Sequence, residues 1–123
     1  MDVLVVDDAA AIRSRLRTMF VDVPGIASVR EAGNLAEARE LLEQHTPEVV
    51  VLDLHLSAES GLDLLKDLKV GRPKLLVIVL TNAATDHHRR SCKELGADYF
   101  FDKSGQFEAL LSVLEREVQL RAP

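Results

Sequence analysis

The sequence predicts an α/β fold: a single five-stranded parallel sheet with five helices covering both faces. Three observations carry this expectation. Short apolar runs of strand length alternate with longer stretches whose apolar residues recur at helical spacing. Several of the runs are apolar throughout, which marks strands buried on both faces. Breakers such as Pro24-Gly25, Thr46-Pro47 and Gly71-Arg72-Pro73 fall between the two kinds of segment.

Taken in order, residues 3–6 (Val-Leu-Val-Val) form the first strand. A helix is expected over 10–21, with Ile12, Leu16, Met19 and Phe20 inward and Arg13, Arg15 and Arg17 on the other side. Asp8 is its expected N-cap. A short second strand follows at 28–31. Asn34, with Glu37 three residues on, has capping-box spacing for a helix over 35–45 that turns Leu35, Ala38, Leu41 and Leu42 inward. Residues 49–53 make the third strand, and 55–60 a polar connection. A helix over 61–68 presents Leu62, Leu65 and Leu68. Residues 75–81 are apolar until Thr81 and form a central strand. The fourth helix, 86–95, has only Cys92, Leu95 and preceding alanines as an apolar stripe, and Gly96 is its expected C′ residue. Residues 99–101 give the fifth strand. Phe107, Leu110, Leu111, Leu114 and Val118 mark the last helix, 107–120, leaving Arg121-Ala122-Pro123 as a free tail.

At 123 residues the chain is expected to be one domain, 1–123, large enough to bury roughly two-thirds of its unfolded surface. A net charge of −5 gives no electrostatic footprint for nucleic acid or an anionic membrane. The single cysteine, Cys92, excludes an internal disulfide and a cysteine-based zinc site, and fits a cytoplasmic location. Met1-Asp2 leads straight into the first strand, so no signal peptide is expected. No apolar run approaches the ~20 residues of a membrane span.

Polar residues stand out at the strand ends. In an open parallel sheet these ends share one edge, where ligands bind. Asp7 and Asp8 end the first strand, Asp53 the third, Thr81 the fourth, and Lys103 follows the fifth. Like charges ~4 Å apart cost on the order of 4 kcal/mol at an effective dielectric of 20. Such carboxylates call for a cation, and oxygen-only ligands suit Mg²⁺. Asp53 is also a candidate nucleophile, because carboxylates form aspartyl-phosphate intermediates. Thr81 offers a hydroxyl and Lys103 an ammonium to a phosphoryl oxygen. Singly, each residue has a plain structural alternative: a cap for Asp8, solvation for Asp7 and Lys103, a turn for Thr81. Their arrival from four strands at one edge favours the chemical reading.

This ordered set resembles the receiver domain of two-component response regulators. The likeness lies in Val-Leu-Val-Val-Asp-Asp at 3–8, Val-Val-Val-Leu-Asp-Leu at 49–54, Gly61-Leu62, Leu-Thr-Asn at 80–82 and Gly-Ala-Asp-Tyr-Phe-Phe-Asp-Lys at 96–103. The resemblance implies a flavodoxin-like strand order 2-1-3-4-5. It implies that Asp53 accepts a phosphoryl group from a histidine kinase or phosphotransfer protein. Asp7, Asp8, Asp53 and the main-chain carbonyl of His55 would hold Mg²⁺, and Thr81 and Lys103 would bind the phosphoryl group. Thr81 and Phe100 would form the switch, with Phe100 turning inward as the hydroxyl moves. A downstream protein would dock on the fourth helix, fifth strand and fifth helix, a face that also supports homodimers in the family. The chain would be no enzyme beyond its own phosphorylation and dephosphorylation.

Two positions depart from the family pattern. Ser57 stands where proline is common, four residues after the phosphoacceptor, so the loop after Asp53 is expected to be less rigid. Ser104 stands where a cis-proline commonly follows the lysine, and is expected to cap the last helix. His55 and Ala83 flank the expected path of attacking water; Ala83 is too small to orient it, and His55 is read as a shield. His87 and His88 read as a solvated helix face and Cys92 as a packing residue. The competing readings are a flavin protein, which Asp7-Asp8-Ala9-Ala10 opposes by repelling phosphate, a phosphohydrolase using His55, and a receiver-like interaction module that works without phosphorylation.

Overall fold

The computed structural model describes residues 1–121. In chain order it contains β1 (Asp2–Val6), α1 (Ala10–Val21), β2 (Ser28–Ala32), α2 (Leu35–Gln44) and β3 (Val49–Leu52). Next come β4 (His55–Leu56), β5 (Glu59–Ser60), α3 (Gly61–Gly71) and β6 (Leu76–Thr81). The chain finishes with α4 (Asp86–Glu94), β7 (Tyr99–Asp102) and α5 (Phe107–Arg121). Five strands form one parallel sheet in the order β2-β1-β3-β6-β7. Numbered without the two hairpin strands, this is the flavodoxin-like order 2-1-3-4-5 that the sequence predicts.

Alternation along each strand divides the core into two layers. Leu4, Val6, Val50, Leu52, Val77 and Val79 face α2, α3 and α4. Val3, Val5, Val49, Val51, Ile78 and Leu80 face α1 and α5 through Leu16, Phe20, Leu110 and Leu114. β1, β3 and β6 are buried on both sides, which explains why their sequences are unbroken apolar runs. The register pairs Val6 with Leu52 and Leu52 with Val79. β1 and β3 therefore end level while β6 runs on to Thr81, and the ladder continues one step past β1 and β3: Asp7 N–H donates to Ala32 O and Asp53 N–H to Val6 O, both at 3.0 Å.

The differences from expectation are local. Asp8 does not cap α1; the cap position is Ala9, with no side-chain cap bond, because Asp8 is engaged elsewhere. Asn34 caps α2 as predicted, accepting from Glu37 N–H at 2.8 Å, while Glu37 Oε1 accepts from Gly33 N–H and from the Asn34 side-chain Nδ2, each at 3.1 Å, rather than from the Asn34 main-chain N–H. The polar connection after Asp53 contains the β4–β5 hairpin, with Leu56 fully buried. Period-two hydrophobicity over two residues is too short a signal to announce a strand. Leu64 joins Leu65 and Leu68 in the core, a position the predicted stripe omitted. Gly96 ends α4 with φ +97°, as expected of a C′ glycine. Ser104 does not cap α5; its hydroxyl bonds Asp102, and the helix begins three residues later. Arg121 belongs to α5, and Ala122-Pro123 lie outside the described residues.

Gly61 opens α3 against the strand that bears Asp53. Its N–H donates to Leu54 O at 2.8 Å. A Cβ there would overlap the carbonyl of Asp53 and the Cα of Leu54. Neither can yield without displacing the end of β3. Gly61→Ala is expected to lower stability by about 2 kcal/mol or more, the range of overpacked sites, seen as a lower urea midpoint at unchanged slope.

Candidate functional site

Asp7 and Asp53 each stand one residue past a buried strand, and the turns that follow fix their side chains. Asp7 Oδ1 accepts from Ala9 N–H at 2.9 Å, an Asx-type turn that leads into α1. Asp53 Oδ1 accepts from His55 N–H at 3.2 Å. Both carboxylates are nearly out of water, with side chains 3% and 5% exposed. Asp8 is exposed, yet a ligand oxygen from each of Asp7, Asp8 and Asp53 lies within 4.8 Å of the others. Three carboxylates at this spacing fit a hard divalent cation that keeps some of its water.

Lys103 reaches this cluster from the far side of β7. Its main-chain N–H continues the ladder to Thr81 O at 3.1 Å. Its Nζ lies 2.6 Å from Asp7 Oδ2 and 2.7 Å from Asp53 Oδ2. Burial pushes the Asp7 carboxyl up from its ordinary 3.8, against the pull of the Lys103 and Ala9 hydrogen bonds. Burial also pulls the Lys103 ammonium down, but its bonds to Asp53 and Asp7 outweigh this and hold it above its ordinary 10.5. Both shifts favour the protonated form, which is the neutral carboxyl for Asp7 but the charged ammonium for Lys103. The short bridging geometry, with one ammonium shared by two carboxylates, favours the charged form of Lys103.

Of the other predicted residues, His55 lines the space above Asp53, whereas Thr81 and Phe100 are not among its walls. Thr81 is fully buried, and its hydroxyl accepts from Ala83 N–H at 3.1 Å. Above Asp53 opens a cleft of about 370 Å³, whose walls include Asp8, His55, Asn82 and Lys103. The His55 side chain is exposed there. Phe100 packs against the α2–α3–α4 layer, with the Arg89 guanidinium 4.7 Å from its ring centroid. Cys92 is fully buried, and burial pushes its thiol up to about 11, as a packing residue requires.

Several participants were not foreseen. Ser57 donates both its N–H and its hydroxyl to Asp8 Oδ2, each at 3.0 Å, and sits at φ 58°. Arg13, expected on the outer face of α1, donates to the Asp7 main-chain carbonyl at 2.6 Å. His88 is not simply solvated: its Nδ1 lies 2.7 Å from the Thr85 hydroxyl and its ring 6.0 Å from that of His55. No spacing in the sequence joins these pairs. Only the serine at position 57, where proline is common, carried a signal.

Removing the ammonium leaves two buried like charges facing each other. Lys103→Met is expected to cost about 2 kcal/mol at neutral pH in EDTA, below the 3–5 kcal/mol of enclosed pairs because the cleft is wet on one side. The raised Lys103 pKa sets the sign. Its contribution is fully present below pH about 10.5 and is lost as pH rises through the higher folded value. Urea titrations at several pH values should show the variants converging at the alkaline end.

A model of the response regulator receiver domain family matches residues 3–115. Among curated proteins, a Treponema denticola protein-glutamate methylesterase/protein-glutamine glutaminase is 33% identical over 115 residues, covering 91% of this chain and 31% of that enzyme. The chain thus spans about a third of the length of that relative. A sensory transduction protein of Enterococcus faecalis is 31% identical, over 94% of this chain and 47% of the relative. Among solved structures, the signal receiver domain of a DNA-binding response regulator from Colwellia psychrerythraea superposes with a TM-score of 0.90 at 25% identity, covering 97% of this chain and 98% of that one. A Burkholderia pseudomallei response regulator with a phosphorylated aspartic acid and a calcium ion gives a TM-score of 0.76 at 29% identity, covering 99% of this chain and 75% of that one. The matched residues, the sheet order and the acidic strand edge agree, and the chain belongs to the response regulator receiver domain family.

Proposed function

We propose that this chain is a phosphoacceptor switch. Asp53 takes a phosphoryl group from a histidine kinase or phosphotransfer protein in a Mg²⁺-dependent reaction, and the product changes a protein-interaction surface. One observation carries the reading: a buried carboxylate lies at the floor of an open cleft, with two further carboxylates within 4.8 Å and an ammonium at 2.7 Å. An Asp53 oxygen attacks phosphorus, the P–N bond to the donor imidazole breaks, and the imidazole nitrogen keeps the electron pair. Asp7, Asp8, Asp53 and the His55 main-chain carbonyl would hold Mg²⁺, which supplies charge neutralisation for the phosphoryl oxygens. Lys103 stays beside Asp53 and donates to a phosphoryl oxygen. Thr81 rotates its hydroxyl away from the Ala83 amide and donates to another.

The space vacated by that rotation lies on the same face of the sheet as Phe100, since Thr81 pairs with Asp102 and Val79 with Phe100. Phe100 lacks a hydroxyl, and the Arg89 stack is the polar contact that ties it to α4. The switch therefore acts on α4, β7 and α5, the face proposed to meet a downstream protein and to support a homodimer. Among the described residues the candidate for repeated turnover is His55, an exposed wall of the cleft read as a shield, and the chain is proposed as a cytoplasmic signalling domain and not an enzyme. The methylesterase and glutaminase activities in the names of its relatives are not carried over.

A second reading has one observation behind it. The Lys103 ammonium pairs with both Asp7 and Asp53, a self-contained charge balance that suits an interaction module working unphosphorylated. Incubation with acetyl phosphate and Mg²⁺ separates the two. Intact mass is expected to show one added phosphoryl group on wild type, none on Asp53→Ala, and none in EDTA; an unmodified wild type favours the second reading. Ala83→Glu would place a water-orienting carboxylate at the flank of the site. It is expected to speed loss of the phosphoryl group about threefold in single-turnover decay, or ~0.65 kcal/mol.

A further inference from the structure

Helix α1 carries three arginines at alternate positions, and their fates differ. Arg13 and Arg17 both bind Glu31, at 3.3 and 2.6 Å. Arg15 has no carboxylate within ion-pairing distance among the described residues. It is not loose, however: its guanidinium carbon lies 3.9 Å from the centroid of the Phe107 ring. That ring belongs to α5 and is itself nearly buried. The stack fixes an exposed cation in one place and leaves its N–H edges open to a ligand.

The place matters. Arg15 and Phe107 line the cleft above Asp53 together with Lys103. The same three residues line the adjoining recess, where Glu108 is a neighbour but not an ion-pair partner. Arg15 thus stands on the divide between the two hollows. Inside the cleft, Lys103 is consumed by Asp7 and Asp53 and its side chain is 8% exposed. What an approaching anion meets from the solvent is the exposed carboxylate of Asp8 and the accessible positive charge of Arg15.

We propose that Arg15 is a specificity-determining residue for the phosphodonor, binding its anionic group at the entrance of the cleft. This rests on the phosphoacceptor reading of Asp53. The ligand class is a phosphoryl-bearing anion, and Arg15 acts on capture and orientation of the donor, before the P–O bond to Asp53 forms. Its planar N–H edge suits two phosphate or carboxylate oxygens at once. The attraction is between exposed charges, so it weakens with salt.

The test measures second-order phosphorylation rates by intact mass for wild type, Arg15→Gln, Arg15→Lys and Arg15→Glu. The donors are acetyl phosphate, the less negative phosphoramidate, and monophosphoimidazole as a stand-in for phosphohistidine. Arg15→Gln is expected to slow acetyl phosphate about fivefold at low salt, with the gap closing toward twofold near 0.15 M. The Gln variant should lose less with phosphoramidate, the Glu variant should be slower still, and the Lys variant should recover the salt dependence. A loss shared with monophosphoimidazole assigns the contact to the phosphoryl group, while one confined to acetyl phosphate, whose acyl side is uncharged, overturns the anion contact. Decay of the finished adduct should not move, and the thermal midpoint should fall only by the small amount that loss of the Phe107 stack implies, equally in Arg15→Gln and Arg15→Glu. Wild-type rates and salt slopes in Arg15→Gln overturn the proposal, as does an equal loss in adduct decay or a rate loss independent of salt, which marks a structural role. If wild type itself takes no phosphoryl group, the phosphoacceptor reading fails first and this proposal with it.

Discussion

Lys103 lies between two buried carboxylates, 2.6 Å from Asp7 and 2.7 Å from Asp53, at the edge where the central strands end. The arrangement follows from the sheet. Strands buried on both faces must be apolar along their length, so polar groups can appear only where the strands stop. Equal register then brings those stops level, and like charges arrive side by side. An unpaired carboxylate in such a place would be costly. The ammonium relieves the cost without filling the coordination space on the Asp8 side. The edge is therefore folded and yet open: Asp8 is exposed and bonded to Ser57, a ligand oxygen of each carboxylate lies within 4.8 Å of the others, and a cleft opens above them.

The parts of this design set by a long repeating pattern were legible in the sequence. Three apolar runs announced β1, β3 and β6, and the charged residues closing them announced the site. Asn34 was legible as a cap because the three-residue spacing to Glu37 is itself the physical mechanism of capping. What could not be read were bonds between residues distant in sequence. Asp8 has the chemistry of an N-cap, and in isolation would act as one. It bonds Ser57 instead, 49 positions away, because the hairpin loop after β3 is folded against the start of α1. Arg13 looked like one of three solvated arginines, but the Asp7 carbonyl and Glu31 draw it in. His88 was assigned to solvent because no periodicity connects α4 to the loop that holds His55.

The site and the α4–β7–α5 face are joined by a small number of side chains. Thr81 and Phe100 lie on one face of the sheet, two residues apart in the β6–β7 register. In the absence of a hydroxyl on residue 100, the contact that remains is the Arg89 guanidinium over the ring. A cation–π contact is broad in angle, and at an exposed site is worth about 0.5–1 kcal/mol. A hydrogen bond fixes an aromatic side chain to a point, whereas a stacked guanidinium lets it slide. On the proposed phosphoacceptor reading, the energy separating two positions of Phe100 would be correspondingly small, and phosphorylation would need to shift little to move α4. The thin apolar stripe of that helix, with Cys92 its one buried residue, points the same way.

The two serines that replace common prolines show how a family constraint can be met by other means. Proline locks φ near −65°. Ser57 stands at φ 58°, so this loop path and a proline at 57 exclude each other. The left-handed conformation costs about 1–2 kcal/mol for a residue with a Cβ. Two hydrogen bonds to the Asp8 carboxylate offset it, since bonds to a charged group contribute about 1.5–3 kcal/mol each. After Lys103, Asp102 Oδ1 accepts both the N–H and the hydroxyl of Ser104 at 2.8 Å, and Gln106 Oε1 accepts the Asp102 N–H at 2.7 Å. These bonds fold the turn back on itself, and Lys103 is held on both flanks. Rigidity built this way is electrostatic where proline's is steric. It ties the loop after Asp53 to the charge of Asp8, one of the carboxylates that a divalent cation would take up. On the proposed reading, cation uptake at Asp8 and the path of that loop would be one linked equilibrium, a coupling that a proline at 57 would remove.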